Sequence, residues 1–143
     1  MSLASIFDIA GSGMTAQSTR LNTTASNIAN AESASSSTDE VYRGRHPVFM
    51  TRLMQQMQGG MSLPQEGQVG VHVAGIVESD APLQQRYEPD HPLANDEGYV
   101  LYPNVNVVEE MTNMISASRS FQVNVDVMNS AKQMVQRVLT LGQ

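Results

Sequence analysis

The chain has 143 residues, a net charge of -6, ten methionines, and neither cysteine nor tryptophan. Without cysteine there are no disulfides, thiolate nucleophiles or cysteine-ligated zinc sites. No cluster of lysine and arginine occurs, so we do not expect nucleic acid as a partner. The length allows one modest domain. Abundant methionine favours a chain that completes its packing against partners, and a methionine-rich core within the chain is the alternative.

Residues 2–31 are predicted to form a helix. Steps of four and three give a mostly apolar stripe, which consists of Leu3, Phe7, Ala10, Met14, Gln17, Leu21, Thr24 and Ile28. A second row is small throughout: Ala4, Gly11, Ser18 and Ala25. Two interpretations of Gly11 and Gly13 stay open, namely close approach of another helix, or a kink with frayed first turns.

The middle of the chain is predicted to be loops and short strands. Residues 32–39 are polar and predict a loop, residues 41–53 favour β structure with Pro47 at an edge or bend, and residues 54–60 predict a flexible loop. Residues 68–79 alternate as a strand does until Ala74-Gly75, where we expect a bulge or turn. Residues 99–102 predict a short strand.

The last segment, residues 106–141, predicts a long helix that lies along other helices. Its 3.5-residue stripe consists of Val107, Met111, Met114, Ser118, Phe121, Val125, Met128, Lys132, Val135 and Leu139. Asn106 and Glu109 have the spacing of a capping box, and Gly142 is a stop signal.

These elements predict an α+β fold, in which long N- and C-terminal helices pack as a coiled-coil-like pair around a small β-rich insert. We expect three parts: an N-terminal helix in residues 1–31, an insert in residues 32–103 and a C-terminal helix in residues 104–143. Burial against one partner helix barely offsets the entropy of ordering the C-terminal helix. We therefore expect termini that are partly disordered in the free monomer and become helical on assembly.

No catalytic, cofactor or metal site is predicted. The histidines His46, His72 and His91 lack helical ligand spacing, and no HExxH motif occurs. The paired carboxylates are adjacent in sequence and so do not face one site. Residues 11–13, Gly-Ser-Gly, lack the rest of a phosphate loop. We expect no enzyme activity.

The terminal segments resemble the bacterial flagellar rod protein family. The N-terminal similarity lies in residues 21–31, LNTTASNIANA, and in the opening IFDIAGSG of residues 6–13. The C-terminal similarity lies in GYV at 98–100, PNV at 103–105, EM at 110–111 and SASRSFQ at 116–122. The final LTLGQ and the central YEP and HPLA motifs also resemble the family, whereas the serine-rich segment after Ala31 departs from its pattern.

The resemblance implies a structural subunit of the proximal rod, which is the drive shaft that crosses the periplasm and transmits motor torque. It also implies export without a cleaved signal peptide through the flagellar type III apparatus. The implied partners are other copies, other proximal-rod proteins, the rod-to-ring adaptor and the next rod segment. No sequence run is long enough for membrane insertion.

We expect the assembly interface to lie on the two terminal helices. Its candidate residues are Leu3, Phe7, Met14, Leu21, Asn27, Ile28, Asn30, Val107, Met111, Met114, Phe121, Val125, Met128, Val135 and Leu139. Two alternatives remain open from the residues alone. One is a soluble helical adaptor or secreted partner-binding module with the same stripes, and the other is a small hydrolase or metalloprotein that uses the histidines and carboxylates of the insert.

Overall fold

A computed structural model describes residues 3–53 and 69–141 of the chain. The order of elements is α1 (Leu3–Asn30), β1 (Arg45–Leu53), β2 (Val69–Glu78), β3 (Gln84–Tyr87), β4 (Tyr99–Tyr102) and α2 (Val107–Leu141). The predicted α+β fold, with two long helices and a small β insert, is confirmed. The flexible loop predicted for residues 54–60 and the stop signal at Gly142 lie outside the described residues.

The helices α1 and α2 pack antiparallel along their length. Asn124 lies against Gly13, where an added Cβ would come within 2.9 Å of the Asn124 Nδ2. Nearer the insert, Arg20 donates a hydrogen bond of 3.0 Å to the Asn113 side chain. At its start, α2 is capped as predicted, because the Asn106 Oδ1 accepts hydrogen bonds from backbone N–H groups of its first turn.

The seam between the helices is built from small side chains. Ala10 and Ala16 of α1 and Ala117 and Ala131 of α2 are all buried. Alanine costs no side-chain entropy when it is ordered and lets helix backbones approach closely, but each alanine buries little apolar surface. The seam therefore fixes the geometry of the pair with a modest hydrophobic contribution.

The strands β1 and β2 form an antiparallel ribbon that lies against α1. Their register runs from Arg45 opposite Glu78 to Leu53 opposite Val69, with an irregularity at Val48 and Phe49. This irregularity lies opposite the segment where the sequence predicts a bulge or turn, and it bends the ribbon. The backbone N–H of Val71 donates a hydrogen bond of 3.1 Å to the Ser12 Oγ, which attaches the ribbon to the helix.

The strands β3 and β4 form a second antiparallel pair. The short strand predicted at residues 99–102 is β4, whereas the sequence analysis named no strand at residues 84–87, which form β3. Leu101 also exchanges backbone hydrogen bonds with Ser35, so the loop after α1 lies along the free side of β4. Gly98 has a φ of +81°, which a side chain would strain, and it lies tightly against the Tyr87 ring.

The largest apolar core lies at the insert end of the helix pair. It consists of Val41, Val100, Tyr102 and Val105. Asn104 holds the surrounding loops together, because its Oδ1 accepts the Gly44 N–H at 2.8 Å while its Nδ2 donates to two backbone carbonyls of residues 79–81. The insert is thus fastened to the beginning of α2.

Candidate assembly interface

A buried asparagine ties both helices to the insert. Asn27 is 0% exposed. Its Oδ1 accepts hydrogen bonds from the Tyr42 hydroxyl at 2.8 Å and the Arg45 N–H at 2.9 Å. Its Nδ2 donates to the Arg45 carbonyl at 2.8 Å and to the Glu110 Oε2 at 3.1 Å. The amide therefore uses its two donors and two lone pairs within its own chain.

This arrangement changes the role expected for Asn27. The sequence analysis predicted that it contacts neighbouring subunits, but a side chain with no exposed surface cannot touch a neighbour while the subunit is intact. Its direct function is to hold α1, the start of β1 and α2 in one geometry. The Glu110 carboxylate, only 5% exposed, is oriented by the same amide.

The other predicted interface residues take two kinds of environment. Most of them are half-buried along the helix pair, namely Phe7, Met14, Leu21, Ile28, Asn30, Val107, Met114, Phe121, Val125, Met128 and Val135. Two are exposed, Met111 and Leu139. Leu3 begins α1. The half-buried stripe faces the other helix of the same chain at least in part, and only its outer edge is available to a neighbour.

A second set of apolar side chains on α2 is left uncovered by α1. Its members are exposed by 42% to 72% and are Val108, Ile115, Val123, Val127, Met134 and Val138. The predicted 3.5-residue stripe did not include them. Their spacing of seven between Val108 and Ile115, and again between Val127 and Met134, was the signal available in the sequence.

The end of α2 extends beyond its partner helix. Gly13 of α1 lies level with Asn124 of α2. Because the helices are antiparallel, Leu3, the first residue of α1, lies level with Met134. Roughly the last two turns of α2 therefore have no α1 beside them. Val138 and Leu139 in these turns are 63% and 68% exposed. Such apolar surface at the end of a helix is typical of a contact with another chain.

The three histidines of the hydrolase or metalloprotein alternative take separate positions in the described residues. His46 and His72 are exposed on β1 and β2. His91 uses its Nδ1 to accept the Leu93 N–H at 3.1 Å in a local turn. Within residues 3–53 and 69–141, no group of three or more histidine, aspartate or glutamate side chains is placed to hold a metal ion.

Comparison with known proteins defines the class of this chain. Residues 7–32 match the family model described as "Flagella basal body rod protein", and residues 96–141 match "Flagellar basal body rod FlgEFG protein C-terminal". The two matches together cover most of both helices. The helix pair with its exposed apolar faces is thus the part that the chain shares with flagellar rod proteins.

Full-length relatives narrow the class further. The chain is 49% identical over 143 residues to the flagellar basal-body rod protein FlgC of Escherichia coli O6:H1, and 48% identical to that of Salmonella typhimurium, with 100% of each chain covered. It is 38% identical to the FlgC protein of Borreliella burgdorferi, over 100% of this chain and 99% of the relative. The chain therefore belongs to the FlgC family of flagellar basal-body rod proteins.

Membership in this family establishes a structural subunit of the flagellar rod that associates with other rod components. The recognition of the rod family from sequence motifs is confirmed. In the part of the chain that the structure describes, neither helix is long and apolar enough to cross a membrane.

Proposed function

We propose that this chain is a proximal-rod subunit of the flagellum, whose two terminal helices pack against several neighbouring subunits and whose insert faces outward. In this role it transmits motor torque across the periplasm. The observation that carries the proposal is the apolar surface of α2 that α1 leaves uncovered, from Val108 to Leu139. A helix whose apolar side chains extend well beyond the stripe that meets one partner is stable when it is buried among several others.

The weak seam within the chain supports the same proposal. The side chains buried between α1 and α2 are mainly alanines, while valine, isoleucine and methionine side chains of α2 remain exposed. Each large side chain that is buried contributes about 1.5–3 kcal/mol. Much apolar surface of α2 is thus left for neighbouring subunits to bury, and in this proposal the helices become fully ordered only in the assembled rod.

The partners in this proposal are other copies of the chain, other proximal-rod proteins, the rod-to-ring adaptor and the next rod segment. We further propose that the chain leaves the cell uncleaved through the flagellar type III export apparatus. Both parts of the proposal rest on the resemblance to the rod family. The interface consists of the exposed surface of α2 together with the outer edges of the half-buried stripe predicted from the sequence.

Matched substitutions on α2 test this function. Ile115→Asp places a charge on the exposed apolar surface, and Asn129→Asp places the same charge at an exposed polar position of the same helix. Each variant replaces the chain in a strain that lacks it, and swimming and the composition of isolated basal bodies are measured. We expect Ile115→Asp to give basal bodies without a rod, and Asn129→Asp to leave swimming unchanged.

The refuting results are equally definite. Normal rods with Ile115→Asp would show that this surface of α2 is not an assembly interface. Normal flagella in the strain without the chain would contradict the structural role itself. Stable low-order oligomers of the secreted protein, together with normal flagella, would then favour the alternative of a soluble adaptor.

A further inference from the structure

The short sheet of β3 and β4 has one buried face and one exposed face. Successive side chains of a strand point to opposite sides, so the buried Val100 and Tyr102 of β4 define the inner face. Tyr87 of β3 lies directly opposite Tyr99 of β4, and both belong to the outer face. Their side chains are 65% and 40% exposed. We call these two rings the tyrosine surface.

The loop between the two strands holds the tyrosine surface in a fixed geometry. The ring centroids are 5.3 Å apart in an edge-to-face arrangement. An added Cβ at Gly98 would come within 2.9 Å of the Tyr87 Cε2, so the ring rests directly on backbone. The Asn95 Oδ1 accepts the Tyr99 N–H at 2.8 Å and so fixes the end of the loop. Exposed aromatic side chains that are already held in place lose little entropy on binding, and they are typical anchors of protein interfaces.

The same loop places negative charge next to the rings. Residues 88–97 contain four acidic side chains and no lysine or arginine. Glu88 is turned toward the inner face, where its Oε2 accepts the Tyr102 hydroxyl at 3.1 Å. The other three are exposed and form no ion pair within the described residues, and they are Asp90, Asp96 and Glu97.

The chain offers these carboxylates little positive charge of its own. Arg86 is close in sequence, but it lies opposite Val100 on the inner side of the sheet, and its guanidinium is 4.4 Å from the centre of the Tyr102 ring. Residues 54–68, outside the described part of the chain, contain no lysine or arginine. The neutralising charge is therefore left to another molecule.

We infer that the tyrosine surface and its acidic loop bind an arginine-bearing segment of another protein. A guanidinium stacks on the exposed ring of Tyr87, and the carboxylates of the loop accept its hydrogen bonds. Arginine suits this surface better than lysine, because its planar group stacks on a ring and donates hydrogen bonds sideways at the same time. Leu93, 39% exposed in the same loop, adds apolar surface for a neighbouring side chain of that segment.

The negative charge decides against other partners for this surface. Nucleic acid and anionic lipid headgroups are repelled by carboxylates. A neutral ligand could stack on the rings but would leave the three carboxylates without a counter-charge. A second copy of this chain has a net charge of -6, so long-range repulsion opposes it as the partner.

This binding is separate from the proposed role in the rod. It uses the insert and not the exposed apolar side chains of α2. The hydrogen bonds of Asn27 and Asn104 fasten this end of the molecule, so the binding does not depend on the outer ends of the helices. The rod role is tested by Ile115→Asp in basal bodies, and either conclusion can fail while the other holds.

A synthetic peptide tests the inference with the purified chain. The probe has three arginines that alternate with valines and carries a fluorescent label, whose anisotropy reports binding. Matched peptides carry three lysines or three glutamates in place of the arginines. We expect the arginine peptide to bind with an affinity that falls as the salt concentration rises, the lysine peptide to bind more weakly, and the glutamate peptide not to bind.

Substitutions locate the binding on the chain. Tyr87→Leu keeps an apolar side chain but removes the ring, and it should weaken binding about five-fold. Gly98→Ala keeps both rings and every charge but displaces the Tyr87 ring, and it should weaken binding by a similar factor. A triple variant that neutralises the loop should weaken binding about ten-fold, and it combines Asp90→Asn, Asp96→Asn and Glu97→Gln.

A second triple variant is the matched control. It removes the same charge at exposed positions elsewhere and should change the affinity by less than about two-fold, and it combines Asp39→Asn, Glu40→Gln and Asp126→Asn. Circular dichroism verifies that each variant keeps the fold of the natural chain. If Gly98→Ala loses that fold, Tyr87→Leu decides the same point, because its side chain is exposed.

Four results would overturn the inference. The first is no binding of the arginine peptide at low salt, and the second is equal binding of the glutamate peptide. The third is an equal effect of the two triple variants or no effect of Tyr87→Leu, which would show a response to net charge alone. The fourth is self-association of the natural chain that Tyr87→Leu abolishes in sedimentation equilibrium, which would identify a second copy as the partner.

Discussion

Replacement of Asn27 by aspartate keeps the shape of the buried side chain but changes its hydrogen bonding. The new carboxylate can still accept hydrogen bonds from Tyr42 and Arg45, but it cannot donate to the Arg45 carbonyl or to Glu110. It also places two carboxylates about 3.1 Å apart in a site with almost no exposed surface. Both changes act on the folded state alone.

The expected cost follows from these distances. A buried carbonyl without its donor costs about 1–3 kcal/mol. Two charges about 3 Å apart repel by about 5 kcal/mol at an effective dielectric constant of 20, and protonation of one carboxyl limits this to about 4 kcal/mol at neutral pH. Asn27→Asp should therefore lower the free energy of unfolding by about 5–7 kcal/mol at pH 7.

The penalty should depend on pH in a definite direction. Near pH 4 protonation of one carboxyl removes the repulsion, so the loss should fall to about 1–3 kcal/mol and grow as the pH rises toward 7. Glu110→Gln in the same protein supplies a new donor and should recover most of the loss at neutral pH. Urea unfolding followed by tyrosine fluorescence and circular dichroism measures these differences.

Asn22→Asp is the control, because it adds the same charge at an exposed position of the same helix. It should change the unfolding free energy by less than about 0.5 kcal/mol. An Asn27→Asp variant within about 1 kcal/mol of the natural chain at pH 7 would refute the reasoning. So would a penalty that is equal at pH 4 and pH 7, or one that Glu110→Gln does not relieve.

Three further predictions concern other parts of the molecule. Gly11→Ala should raise the free energy of unfolding by about 0.5–1 kcal/mol, because nothing lies within 4 Å of the added Cβ. Gly13→Ala should raise it less or lower it, because the added Cβ displaces the side-chain amide of Asn124. Burial, together with the hydrogen bond donated to a carboxylate, raises the pKa of Tyr102, so stability should fall as the pH rises above about 10. Tyr102→Phe should remove that decline in alkaline urea titrations. Met114→Asp should lower monomer stability and block rod assembly, whereas Ile115→Asp should only block assembly, as unfolding and swimming assays measure.

Both helices could be predicted because their signals are local. Periodic apolar residues, the cap at Asn106 and the absence of proline from residues 106–141 identify α2 from its own sequence. Strand β4 was likewise visible in its short apolar run. Strand β3 was not predicted, because Gln84–Tyr87 is exposed throughout and becomes a strand only by pairing with β4.

The site was predicted less completely than the fold. Asn27 stood out as one of many asparagines, but its partners lie 15, 18 and 83 residues away in the chain. No local pattern shows that such groups meet. The exposed apolar side chains of α2 were missed for a different reason, since a single 3.5-residue stripe leaves the other positions of the same helix unexamined.

The unequal fastening of the helix pair has a consequence for its motions. At the insert end, α1 and α2 are joined by the Asn27 amide and lie on an apolar core, while toward Leu3 the buried contacts are chiefly alanine. Separation of the two helices therefore costs least free energy at the end near Leu3. Amide hydrogen exchange should become steadily faster from Asn27 and Glu110 toward Leu3 and Leu141. A helix of a neighbouring subunit can thus pack between α1 and α2 near Leu3, while the hydrogen bonds of Asn27 remain formed and keep the register of the two helices.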